Sequence, residues 1–232
     1  MLQIRLAASL DGGDFGWLKA KHHFRVSPDG NSANAPLGSL EVWNDDEIAP
    51  GTGFGLHGHT NMEIITYVRQ GAVTHRDSLG NEGLTSAGDV QVISAGTGIR
   101  HSEHNRGADP LRLFQIWLRP RQPGGEPMWD ARRFPKRDRA NQFVVLASGF
   151  PADADALPIR ADARILGATV LAGSELSYNL GGLRHFYLAP AQGVVSVNGQ
   201  RLTVGDGIAA SDEPSLSVRA EIDSEIILVA TN

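Results

Sequence analysis

Two short clusters, His57-Gly58-His59 and His101-Ser102-Glu103, hold the side chains of this chain best suited to chemistry. Three imidazoles and one carboxylate form a donor set for a first-row divalent ion such as iron, copper, nickel, manganese or zinc. In an octahedral shell they leave two positions for substrate or dioxygen. A strand alternates its side chains between faces with period 2, so His57 pairs with His59 and His101 with Glu103, while Gly58 and Ser102 point away.

The elements that must position these residues are therefore strands. A second carboxylate competes for the fourth place: Glu63 lies four residues after His59 and shares its face if the strand is regular. Either carboxylate could complete the site, and Glu103 is favoured. His104 has the opposite parity to His101 and should face outward. His22, His23 and His75 read as surface or hydrogen-bonded core residues.

Composition narrows the chemistry further. The 232 residues contain no cysteine, so disulfides, thiolate metal sites and cysteine nucleophiles are excluded and any metal sits on nitrogen and oxygen. With 27 glycines, 12 prolines and almost no helical periodicity, the chain is expected to be all-β with short strands. A net charge of −5 argues against direct nucleic-acid binding. No long apolar run suggests a membrane span or a leader, so a cytoplasmic protein is expected. Neither a phosphate-binding G-x-x-x-x-G-K-[ST] loop nor a G-x-S-x-G nucleophile elbow occurs. Glycines 51, 53 and 55 are expected to let the backbone approach the metal site closely.

Strand-like runs fall at Leu40 to Trp43, Glu63 to Arg69, Ala72 to Arg76, Val90 to Ser94, Leu111 to Leu118 and Phe143 to Leu146, with a dense second series from Phe186 onward. The division expected is a metal-binding barrel over 1–125, a linker over 126–145 and a second barrel over 146–232. Arg119, Arg121, Arg132, Arg133, Lys136, Arg137 and Arg139 make a basic stretch, read as a solvated linker. The halves echo each other: Gly71, Leu84-Thr85 and Gly88-Asp89 recur as Gly193, Leu202-Thr203 and Gly205-Asp206, each Gly-Asp read as a hairpin turn. Counting between these landmarks sets His57, His59, His101 and Glu103 opposite Asn179, Gly181, Val218 and Ala220. The second copy has no ligands, so a duplicated barrel with one metal site is expected, and its two halves can satisfy one another as a monomer.

The stretch HxHxxxEIITYVxxGAVxHRDSLGN (57–81), with GDVQVISAGTGIRHSE (88–103), Asp14 to Lys19 and Asn44-Asp45-Asp46, resembles the pirin family in its bacterial quercetinase-like branch. The resemblance extends over essentially the whole chain; Gly58 departs from it, since the family commonly has proline there. It implies two cupin (double-stranded β-helix or jelly-roll) barrels, with one metal held by His57, His59, His101 and Glu103. Fe(II) is the expected ion, with Cu, Mn, Ni, Co or Zn as alternatives. It also implies a quercetin 2,3-dioxygenase that opens the flavonol heterocycle with O2 and releases carbon monoxide. In such an enzyme Glu103 would serve as catalytic base toward the flavonol 3-hydroxyl. Phe54, Phe114 and Trp117 are available to line a pocket, although their pattern assigns them to the core. Two alternatives accompany this reading. One is a non-enzymatic, iron-dependent redox-sensing regulator that uses the basic segment as a partner surface. The other is a metal-dependent isomerase or hydrolase on the same barrel.

Overall fold

Alternation along single strands decides the architecture. In Leu111–Leu118, Phe114, Ile116 and Leu118 face a large apolar core, while Leu113, Gln115 and Trp117 face the other way. Glu63–Gln70 behaves alike: Ile65 and Tyr67 join that core, and Ile64, Thr66 and Val68 point away from it. The computed structural model describes residues 2–26 and 29–232. Its strands form two seven-stranded and two four-stranded sheets. The shared core gathers Trp43, Ile65, Tyr67 and Phe114 from the first half with Ile165, Tyr187, Ile227 and Val229 from the second, so the two large sheets meet face to face. The expected pair of all-β barrels is what the chain forms.

The halves match strand for strand except at the far edge of the large sheets, where Asp11–Asp14 pairs antiparallel and Leu157–Pro158 parallel. The large sheet of the first runs Met128–Arg132, Val90–Ser94, Glu63–Gln70, Leu111–Leu118, Leu40–Ile48, Leu18–His22, Asp11–Asp14. The second begins Leu2–Arg5, Gly207–Ser211, His185–Gln192, Ser224–Thr231, Ala163–Val170. The small sheets, Gly53–His59, Ile99–His104, Ala72–Asp77, Glu82–Ser86 and Glu175–Asn179, Ser215–Ala220, Val194–Val197, Gln200–Thr203, correspond likewise.

Three expectations need correction. The first concerns boundaries: residues 2–5 pair with Gly207–Ser211 of the second barrel, and Met128–Arg132, within the expected linker, pairs with Val90–Ser94 of the first. Each half's leading strand is thus donated to the other half, where it covers an edge that would otherwise expose unpaired backbone groups. Second, the Gly-Asp turns are not hairpins. Gly88 (φ +92°) and Gly205 (φ +90°) take left-handed backbone at corners where the chain leaves a small sheet for a large one, as closing a barrel requires. Third, Asn179 is exposed, and Leu176 stands opposite Val218 as His57 stands opposite His101. The connection 180–184 is longer than 60–62 and breaks the count. The second interior is filled by Leu180, Leu216, Val218, Ala220 and their neighbours.

Candidate metal centre

The first interior is polar at its centre. Strands Gly53–His59 and Ile99–His104 run antiparallel with His57 opposite His101 and Ile99 opposite His59. The register then slips, so that Glu103 stands opposite Phe54. This bulge depends on Gly53, where a Cβ would lie 2.2 Å from the Glu103 carbonyl oxygen. The close approach expected of the glycines is therefore realised at 53; a Cβ at 51 or 55 would meet open space.

His57, His59 and His101 converge, with ring centroids 4.4 to 5.1 Å apart and one nitrogen of each within 4.8 Å of the others. Nδ1 of His57 donates to the Gly55 carbonyl at 2.8 Å, which leaves the lone pair on Nε2. His101 is fully buried, yet neither of its ring nitrogens has a hydrogen-bond partner among the described residues. Buried polar atoms are almost always paired, so this orphaned imidazole among two others fits a metal ion. Burial, with the neighbouring imidazoles, lowers His59 to about 4 and His101 to about 3. Both rings are neutral near pH 7, the form a metal requires.

Glu103 is buried beside His101. Its Oε1 accepts from Gln91 Nε2 and, at 3.4 Å, from the Thr66 hydroxyl; its Oε2 accepts from Gln115 Nε2 at 2.7 Å. Burial pushes its carboxyl up to about 7 and these donors limit the rise. Gln115 in turn accepts from the indole of Trp117, which stands edge-on to His59 at 5.0 Å. Trp117 also lines a groove of about 570 Å3 with His22, Arg25, Val42, Asn44 and Met62. Of the other aromatics considered, Phe114 belongs to the inter-barrel core and Phe54 packs against Trp17.

Glu63 is not in this cluster: it accepts from the Ser94 hydroxyl and from the backbone N–H of Arg160. His104 joins no group of candidate ligands among the described residues. His23 is a hydrogen-bonded core residue, as read, bonded to Tyr187 at 2.6 Å. His75 is also buried and bonded, to Asp77, but it lies against the centre, one of its nitrogens within 4.8 Å of ligand atoms on His101 and Glu103. Sequence reasoning read His75 as a surface or hydrogen-bonded core residue and passed over Thr66, Gln91 and Gln115. The period-2 spacing of His75 and Asp77, inside a stretch already rich in ligands, was the available signal.

Many known proteins are similar to this chain in sequence and fold. Residues 4–118 match the family described as pirin, and residues 145–230 match the quercetinase C-terminal cupin domain. A pirin-like protein of Caulobacter vibrioides is 57% identical, over 95% of both chains. The quercetin 2,3-dioxygenase of Escherichia coli K12 is 35% identical, over 98% of this chain and 97% of its own. The crystal structure of the Escherichia coli pirin YhhW in complex with nickel(II) superposes with a TM-score of 0.92 at 34% identity, covering 100% of this chain and 99% of that one. With the paired barrels, the polar first interior and these matches along its whole length, the chain belongs to the pirin family of two-cupin proteins.

Proposed function

We propose that this protein is a metal-dependent quercetin 2,3-dioxygenase, with His57, His59, His101 and Glu103 as the ligands of one divalent ion, Fe(II) first among the candidates. The observation that carries this reading is the orphaned, buried His101 between two further imidazoles and a carboxylate cradled by two amides. The relative's name and the nickel complex of YhhW support it. The ion would supply Lewis-acid activation of a chelating phenol and electron exchange with O2.

The chain's own groups do the rest. Glu103 takes the proton of the flavonol 3-hydroxyl on a carboxylate oxygen. Gln91 and Gln115 hold that carboxylate in place, so it does not swing away when protonated. The groove beside Trp117 lies within the volume range of small-molecule sites and presents one aromatic wall to planar rings. The net reaction consumes one flavonol and one O2 and releases carbon monoxide and a depside.

Metal analysis of protein purified without added metal, followed by an oxygen-electrode assay with quercetin, tests the proposal. Oxygen uptake that depends on flavonol and is lost in Glu103→Ala and His101→Ala is expected. Fully metallated, folded protein that consumes no oxygen with quercetin would overturn it. The regulatory alternative drew on the basic segment, and part of that charge is paired within the chain: Arg119 with Glu41, Arg121 with Asp162, and Lys136 and the buried Arg139 with Glu225, while Arg132, Arg133 and Arg137 stay exposed. Among the described residues no helix is long and apolar enough to cross a membrane.

A further inference from the structure

Across the small sheet of the first barrel, His75 stands opposite Glu103 and Asp77 opposite His101, so four functional side chains form a square on one face. Asp77 is fixed from several sides. Its Oδ1 accepts from the backbone N–H groups of Leu79 and Asn81, and its Oδ2 accepts from the Asn81 side chain and bonds His75 Nε2 at 3.0 Å. An ionised carboxylate only accepts, so Nε2 of His75 carries the hydrogen and Nδ1 carries a lone pair. That Nδ1 is buried and has no hydrogen-bond partner among the described residues. Trp129 stacks on the ring at 4.8 Å with the planes 2° apart, and the bond from Nε2 to Asp77 sets which way round it lies.

A fixed lone pair, a carboxylate behind the far nitrogen, and two neighbouring donors are the marks of a metal-binding histidine. We propose that His75 is a further metal ligand: with His101 and Glu103 it forms an inner, enclosed position for a divalent transition-metal ion, next to the outer position bounded by His57 and His59. The donor atoms of each triad lie within 4.8 Å of one another, and the triads share His101. The inner set is two imidazoles and one carboxylate, a combination that binds first-row divalent ions without further nitrogen donors. All three of its residues are buried, whereas His57 and His59 are only partly so. The inner position is closed to substrate, and the outer one is open to it.

This inference rests on reading His101 and Glu103 as ligands, but its test does not use turnover. Metal-free H57A/H59A protein, titrated with Co(II) and followed by equilibrium dialysis and absorption, is expected to bind a single ion per chain with a ligand-field spectrum. Adding His75→Phe, which fills the same space, is expected to abolish that binding. Should that triple variant fail to fold by circular dichroism, proton spectra of the Co(II)-loaded H57A/H59A protein carry the test without altering position 75. The exchangeable Nε2–H of His75 is then expected among the paramagnetically shifted lines. Failure of H57A/H59A to retain Co(II), retention undiminished by His75→Phe, or absence of that shifted proton would each overturn the proposal. A protein that oxidises no flavonol can still pass, and one that does can fail, so the two readings are separable.

Discussion

Glu103 shows how much of this site rests on residues that carry no motif. Its two oxygens are held by the amides of Gln91 and Gln115, which lie on different strands of the large sheet and reach the centre only because each has inward parity. Replacing Gln91 by Leu is expected to weaken metal binding by roughly tenfold to hundredfold while the fold persists, as for other residues that orient a metal ligand. Competitive titration against a chelator measures it, and unchanged affinity would show that the carboxylate needs no cradle. Trp117 offers a direct signal, since its ring abuts His59: binding of Ni(II) or Cu(II) is expected to quench tryptophan emission, and Trp117→Phe to remove most of the quenching. The histidines at 57, 59 and 101 were legible from spacing alone, because two-residue alternation is a local property. The glutamines were not, because an amide inside a strand looks the same whether it faces solvent, core or ligand until the partner strands are placed.

At the scale of elements, the bulge between Gly53–His59 and Ile99–His104 turns Glu103 inward, and it tolerates no side chain at 53. Gly53→Ala would drive a methyl group into the Glu103 carbonyl. It is expected to cost about 1 to 3 kcal/mol in urea-denaturation experiments and to lower metal retention as well. Gly55→Ala, with open space around it, is the matched control and should change neither. The strand positions were largely readable from apolar runs: Val90–Ser94 and Leu111–Leu118 fall where the pattern puts them. Asp11–Asp14 was not, since it has no large apolar residue, and Leu2–Arg5 alternates apolar and polar residues over only four positions, too short a run to stand out. The Gly-Asp corners look like hairpins because the same left-handed glycine serves both purposes, and only the pairing of the flanking strands separates them.

For the whole molecule, the two barrels are joined by buried polar groups as well as by the apolar core. Glu225, from the second barrel, accepts from the Tyr67 hydroxyl of the first and from Arg139 of the connecting segment, and pairs with Lys136 at 2.9 Å. Glu225→Ala would strand the buried Arg139 and is expected to lower stability by about 3 to 5 kcal/mol, read from the denaturation midpoint. Because the core is shared, unfolding is expected as a single transition, and two resolved transitions would contradict the shared core. His23 adds an acid sensitivity. Burial first, then Arg5 and Arg69, lower it to about 3, so below pH 6.5 the unfolded chain takes up a proton that the folded chain refuses. The His23 contribution is therefore fully present above about pH 6.5 and is lost as pH drops toward 3, by about 2 to 3 kcal/mol at pH 4.5. His23→Gln is expected to flatten the dependence of melting temperature on pH over that window.

The exchange of leading strands also sets an order of events during synthesis. Leu2–Arg5 is made some two hundred residues before the edge it covers, Gly207–Ser211. At typical translation speeds of about 5 to 20 residues per second, that strand waits roughly ten to forty seconds before its partner exists. Met128–Arg132, by contrast, can close the first barrel soon after it emerges. The half that carries the histidine cluster is thus poised to assemble on the ribosome, and the other half can be sealed only by a segment made some two hundred residues earlier.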